Sequence, residues 1–116
     1  KELDKSLLAT GFPYSLRENT DKIVEYFATF SFKAQGIRRP GAASIDLCNL
    51  ACGRVDGFWE VGLKPWDTAA GSLIITEAGG RLSRFDGSSF GIWTPEVLAT
   101  NGLIHKQMVE VFVQTL

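Results

Sequence analysis

Phe58-Trp59-Glu60-Val61-Gly62-Leu63-Lys64-Pro65-Trp66-Asp67-Thr68-Ala69-Ala70-Gly71-Ser72-Leu73-Ile74-Ile75-Thr76-Glu77-Ala78-Gly79-Gly80 reads as strand, turn, helix and glycine stop. One carboxylate, Glu60, stands near the end of the strand, and another, Asp67, at the start of the helix. A helix N-terminus carries unpaired backbone N–H groups and a partial positive charge, so it attracts anions and suits an acidic cap. Asp67 can therefore cap the helix or present its oxygens to a hard metal ion.

Outward from this stretch, strands and helices alternate. Ser6 to Thr10 is a short apolar strand closed by Gly11-Phe12-Pro13. Asn19, Thr20 and Asp21 offer caps for a helix through about Lys33, with Ile23, Phe27 and Phe30 on one side. Gly36 to Arg39 predicts a short strand, stopped by Pro40-Gly41. From Ala42 to Cys52 nearly every position is small or apolar, which predicts a helix buried between layers, with Gly53 as its stop. Val55 to Val61 is a strand, the next helix starts at Asp67 or Thr68 and runs to Ala78, and Arg81 to Phe85 is a strand. A surface loop to Pro95 follows, anchored by Phe90 and Trp93, and then a last strand, Val97 to Thr100. Asn101 is placed to cap a final helix whose buried stripe is Ile104, Met108, Val111 and Phe112. The alternation predicts one layered α/β domain over residues 1–116, with a roughly five-stranded mixed sheet and helices on both faces.

Bulk properties narrow the function classes. With 116 residues, 45% hydrophobic and 22% charged, the chain has an ordinary globular composition and room for one core. A net charge of −1 gives no electrostatic case for nucleic acid or an anionic membrane. No apolar run reaches the length of a membrane span, and the N-terminus lacks the apolar segment of a signal peptide, so a cytoplasmic location is expected. Cys48 and Cys52 lie four apart in a helical stretch, a poor setting for a disulfide, and no further ligands complete a zinc site. They read as small buried hydrophobes in a reducing compartment. The single histidine, His105, reads as a surface residue, and no serine or cysteine sits in a recognisable nucleophilic triad. The chain begins Lys1-Glu2 and its only methionine is Met108, so it reads as a piece of something longer.

Trp66-Asp67-Thr68-Ala69-Ala70-Gly71, followed by Glu77-Ala78-Gly79-Gly80, resembles the C-terminal motif of the inositol monophosphatase family, whose pattern is Trp-Asp-x-Ala-Ala-Gly. The similarity runs from Leu8-Ala9-Thr10-Gly11-Phe12-Pro13 to Val97-Leu98-Ala99-Thr100-Asn101. Gly53-Arg54-Val55-Asp56-Gly57 and Leu63-Lys64-Pro65 bring it closest to bacterial members. The resemblance implies that Asp67 binds a catalytic magnesium ion and that Glu60 contacts a hydroxyl of the inositol ring. A carboxylate is a good acceptor for polyol hydroxyls, so that transfer is physically sensible. Gly41-Ala42-Ala43-Ser44 matches the family's Gly-x-Ala segment, where backbone groups at a helix entrance meet the substrate. Arg38 and Arg39 offer charge for a phosphate, but neighbouring strand residues point to opposite faces, so at most one faces the site.

The family's first half carries a Gly-Glu-Glu segment and an Asp-Pro-Ile-Asp-Gly-Thr loop, which supply the other metal ligands; neither is in this sequence. The resemblance therefore implies a C-terminal part of a lithium-sensitive, Mg2+-dependent phosphatase, commonly a homodimer, that hydrolyses a small polyol phosphate. The missing N-terminal half is an expected partner, and the 116-residue chain alone is expected to be inactive. Histidinol phosphate, fructose bisphosphate or a nucleotide bisphosphate are alternative substrates within the same class. A non-catalytic dimerisation or interaction domain is the alternative outside it.

Overall fold

A computed structural model describes residues 2–11 and 20–115, with the side chains of residues 20 and 21 excepted. A 3-10 turn at Leu3–Lys5 leads into β1 (Leu7–Thr10), α1 (Thr20–Lys33), β2 (Gly36–Arg38) and α2 (Ala43–Ala51). Then follow β3 (Gly57–Val61), α3 (Pro65–Glu77), β4 (Arg81–Ser83), β5 (Glu96–Thr100) and α4 (His105–Thr115). The five strands form one sheet in the order β2-β1-β3-β5-β4. The sheet is mixed: β1 runs parallel to β2 and β3, whereas β5 runs antiparallel to β3 and β4.

Strand alternation sorts side chains into two cores. Leu8, Trp59 and Leu98 face one side, where Tyr26 and Phe30 of α1 and Met108, Val111 and Phe112 of α4 cover them. The rings there interlock: Phe85 stacks on Phe112 at 4.0 Å and 6°, and Tyr26 meets Phe112 edge-on at 4.8 Å. Ala9, Phe58, Val97 and Ala99 face the other side, beneath Leu47 and Leu50 of α2 and Ile75 of α3. The three-layer arrangement is the one the alternation predicts.

Several expectations are corrected. α2 is buried along one stripe only, at Asp46, Leu47 and Leu50, while Ile45 and Cys48 face out. Helix α2 forms an outer layer, so its apolar composition marks two different surfaces. Cys48 and Cys52 are accordingly exposed thiols, not buried hydrophobes. α3 begins at Pro65 rather than Asp67, because proline's fixed φ and missing N–H suit the first helical position. Asn101 does not cap α4; its Oδ1 accepts the Leu103 N–H at 2.9 Å, closing a turn that delays the helix to His105. His105 is 1% exposed, because that turn presses the start of α4 against β4 and β5. Trp93 is 82% exposed and anchors nothing, whereas Phe90 packs beside the α2–α3 core. In α1 the buried stripe is Ile23, Tyr26 and Phe30, with Phe27 at its edge. The α1 cap candidates Asn19, Thr20 and Asp21, together with Phe12-Pro13, fall where side chains lie outside the described residues.

Candidate functional site

Helices that follow parallel strands return antiparallel to them, so their N-termini gather at the strands' carboxyl ends. α2 follows β2 and α3 follows β3, and both strands run parallel to β1. The starts of α2 and α3 therefore lie at one edge of the sheet, beside Thr10 and Gly11 at the end of β1. In α/β sheets this edge is where ligands bind.

Gly41 has φ 96°, a left-handed conformation that glycine adopts without a Cβ penalty. It turns the chain into Ala42, the N-cap of α2, which has no side-chain capping bond. The first N–H groups of the helix after Gly41-Ala42-Ala43 are thus left to face whatever sits at that edge.

Asp67 stands in the first turn of α3, half-buried. Its Oδ2 accepts the Lys64 N–H at 2.8 Å, a bond that caps the helix and fixes the carboxylate plane. Capping and metal binding need not compete, because one oxygen closes the turn while Oδ1 has no hydrogen bond among the described residues. That oxygen fits one position around a hard cation. Among the described residues, no group of three or more acidic, histidine or cysteine side chains is arranged to hold a metal ion.

Glu60 closes over Gly11 across the parallel β1–β3 pair. A Cβ at Gly11 would collide with Glu60 Oε1 and lie 2.9 Å from its carboxyl carbon, so any larger residue there would displace the end of this side chain. The Glu60 carboxyl is pushed up to about 7, chiefly by burial and then by the negative charges of Asp46 and Asp67, with Arg39 opposing. Of the two adjacent arginines, Arg39 is the one whose charge is felt at Glu60.

Asp46 is a buried carboxylate beside this edge, close enough for its charge to be felt at Glu60, and the sequence does not single it out. It lies in the first turn of α2, is 1% exposed, and burial pushes its carboxyl up to about 6. Its one sequence signal is that it is the only charged residue in the mostly small or apolar run from Ala42 to Cys52. Glu60, Asp67 and the Gly41-Ala42-Ala43 entrance come to the same edge, whereas His105 belongs to the core behind β4 and β5.

The geometry is an edge where two helix starts meet a group of carboxylates, and comparison with known proteins identifies its lineage. A family model described as the inositol monophosphatase family matches residues 1–116. The chain belongs to that family. It is similar to an inositol-1-monophosphatase of Synechocystis, 47% identical over 113 residues, covering 97% of this chain and 39% of that one. It is 39% identical to the Nus factor SuhB of Escherichia coli K12, over 94% of this chain and 41% of that one. A solved inositol monophosphatase from Anabaena superposes with a TM-score of 0.94 at 46% identity, over 97% of this chain and 45% of that one. The chain thus spans about two fifths of the length of these inositol monophosphatase family relatives.

Proposed function

We propose that this chain is the C-terminal α/β part of a Mg2+-dependent phosphatase that hydrolyses a polyol phosphate monoester such as myo-inositol monophosphate. The observation that carries the reading is the convergence of Asp67, Glu60 and the entrance of α2 at one sheet edge, in a member of this family. Asp67 Oδ1 would supply one ligand to magnesium, and the ion would neutralise charge on the phosphoryl group and activate water. Glu60, set over Gly11, accepts hydrogen bonds from polyol hydroxyls. The N–H groups that follow Gly41, Ala42 and Ala43 face the anionic side of the substrate. One carboxylate oxygen cannot build a multi-metal site, so the 116 residues alone are inactive and the N-terminal half completes the enzyme.

No helix among the described residues is long and apolar enough to cross a membrane. Ile45, Trp66, Leu73 and Ile74 are exposed on α2 and α3, an apolar surface suited to the missing half or to a homodimer partner.

The test is phosphate release from myo-inositol monophosphate by a polypeptide that joins this chain to an N-terminal half of the family. Asp67→Asn should cut Mg2+-dependent turnover roughly 100-fold or more, and Glu60→Gln should raise KM for the inositol ester more than for histidinol phosphate, fructose bisphosphate or a nucleotide bisphosphate. Turnover by the isolated chain, or full activity in Asp67→Asn, would overturn the reading.

A further inference from the structure

Asn101-Gly102 is a chemically unstable pair of neighbours. The glycine nitrogen can attack the asparagine side-chain carbonyl, because no Cβ on the following residue crowds its approach. A bond then forms between Gly102 N and Asn101 Cγ, the Cγ–Nδ2 bond breaks, and ammonia leaves with the glycine's amide proton. Water opens the cyclic imide at either carbonyl and gives aspartate or isoaspartate. Nothing is oxidised or reduced, and water is the one co-reactant.

The fold engages every group in that reaction. The Gly102 N–H donates to Thr100 Oγ1 at 3.0 Å, which ties up the proton of the attacking nitrogen. The Asn101 amide is held at both ends: Nδ2 donates to Asp56 Oδ1 at 3.2 Å, and Oδ1 accepts the Leu103 N–H at 2.9 Å. The Asn101 N–H donates to the Asp56 carbonyl at 3.0 Å. Asp56 is in turn tied to β1: its Oδ2 accepts the Leu7 N–H at 2.9 Å, and its own N–H donates to the Leu7 carbonyl at 2.7 Å. This clamp joins the start of β1, the residue before β3 and the residue after β5. Asn101 is half-buried and Gly102 exposed, so hydrogen bonding, and not exclusion of water, restrains the pair.

We propose that Asn101 is a site of spontaneous deamidation that this clamp holds shut, and that the reaction, once it occurs, keeps the clamp open. Ring closure requires the side-chain amide to leave Asp56 and the Leu103 N–H and swing toward Gly102 N, so it proceeds only during local opening. The product exchanges the Nδ2 donor for an acceptor oxygen. A carboxylate on residue 101 then faces the Asp56 carboxylate across the former 3.2 Å contact, where two acceptors and two negative charges repel. Isoaspartate also lengthens the backbone by one methylene and shifts the turn into α4. Hydrolysis is one-way, so the corner keeps a record of past opening.

The experiment follows the 116-residue chain by peptide mass spectrometry at mildly alkaline pH, in native buffer and in strong urea. In urea Asn101 should convert to the acid, whereas Asn49, followed by the bulky Leu50, should stay intact. In native buffer the conversion of Asn101 should be slower by at least about tenfold. An Asn101 that survives in urea, or that converts equally fast in both states, overturns the proposal. Amide exchange tests the clamp without a variant. Protection of Asn101 from deamidation should be at least as large as protection of the Leu103 N–H from exchange, because both need the same bond to open. Weaker protection would show that the reaction bypasses the clamp. Asp56→Ala should quicken native conversion about tenfold, and an unchanged rate would refute the role of Asp56. Should the fluorescence of Trp59 show that variant to be unfolded, the exchange comparison decides. For the consequence, Asn101→Asp should quicken exchange of the Leu7 N–H about tenfold relative to Ile75 in α3. An equal change at both would mean general destabilisation and would refute the unlocking. None of these outcomes depends on phosphatase activity.

Discussion

The buried imidazole of His105 should make the stability of this domain fall steeply with acidification. Its hydrogen bonds define the tautomer. The Ser83 hydroxyl gives its proton to the Arg84 carbonyl at 2.6 Å, so toward His105 Nε2, at 2.8 Å, Ser83 Oγ can only accept. Nε2 therefore carries the hydrogen. Thr100 Oγ1 accepts the Gly102 N–H at 3.0 Å and gives its own proton to Nδ1 at 2.9 Å. A second proton on the ring would face that hydroxyl proton in a site closed to water. Burial, reinforced by the charge of Arg81, lowers the His105 pKa from 6.5 to about 4. Because the folded value lies below the unfolded one, the contribution is complete above about pH 6.5 and is lost as pH falls toward 4. At about 1.4 kcal/mol per pH unit this amounts to roughly 3 kcal/mol, or some 2 M in urea midpoint for a domain of this size. Glu60 and Asp46, with raised values, act in the opposite sense over part of the same range, so the raw stability curve mixes the effects. The comparison with His105→Gln isolates the histidine. Urea unfolding followed by the fluorescence of buried Trp59 should show the advantage of the natural chain at pH 7.5 shrinking by about 3 kcal/mol by pH 4. NMR should place the ring's titration near pH 4. A ring that titrates near 6.5, or a stability gap constant with pH, would refute the reasoning.

Three substitutions test other parts of the structure. Gly71→Ala places a methyl against Leu47 Cδ1 and Cβ, at 2.5 and 2.8 Å, and should cost about 1–3 kcal/mol in chemical denaturation by prising α2 from α3. An unchanged midpoint would show that the seam is looser than drawn. Gly11→Ala should behave differently, because the obstacle is the flexible end of Glu60: stability should change by less than about 1 kcal/mol. KM for the polyol ester in the completed enzyme should nevertheless rise as Glu60 is displaced, and an unchanged KM would remove Glu60 from the substrate wall. Phe112→Ala removes the ring that contacts Tyr26, Phe30 and Phe85 and should cost roughly 3–5 kcal/mol, read as a lowered thermal midpoint.

Much of this protein is legible in its sequence because much of its order is local. The turn from β3 into α3 places Glu60 and Asp67 seven residues apart at one end of the sheet, and Pro65, Gly79 and Gly80 punctuate the helix wherever it packs. Apolar spacing likewise announced the five strands and four helices, because periodicity depends only on neighbours along the chain. What sequence alone could not settle is which apolar or polar surface meets which. Cys48 and Ile45 look like core residues until the sheet is seen to cover only the far side of α2. His105 looks like a surface residue until β4 and β5 supply Ser83 and Thr100. Gly11 matters because parallel pairing brings it under Glu60, 49 residues later in the chain. Composition and spacing are properties of covalent neighbours and fix the elements and the motif. Burial, tautomer and the nearness of the Asp46 charge to Glu60 depend on contacts between distant segments, and those exist only once the register of the sheet is set.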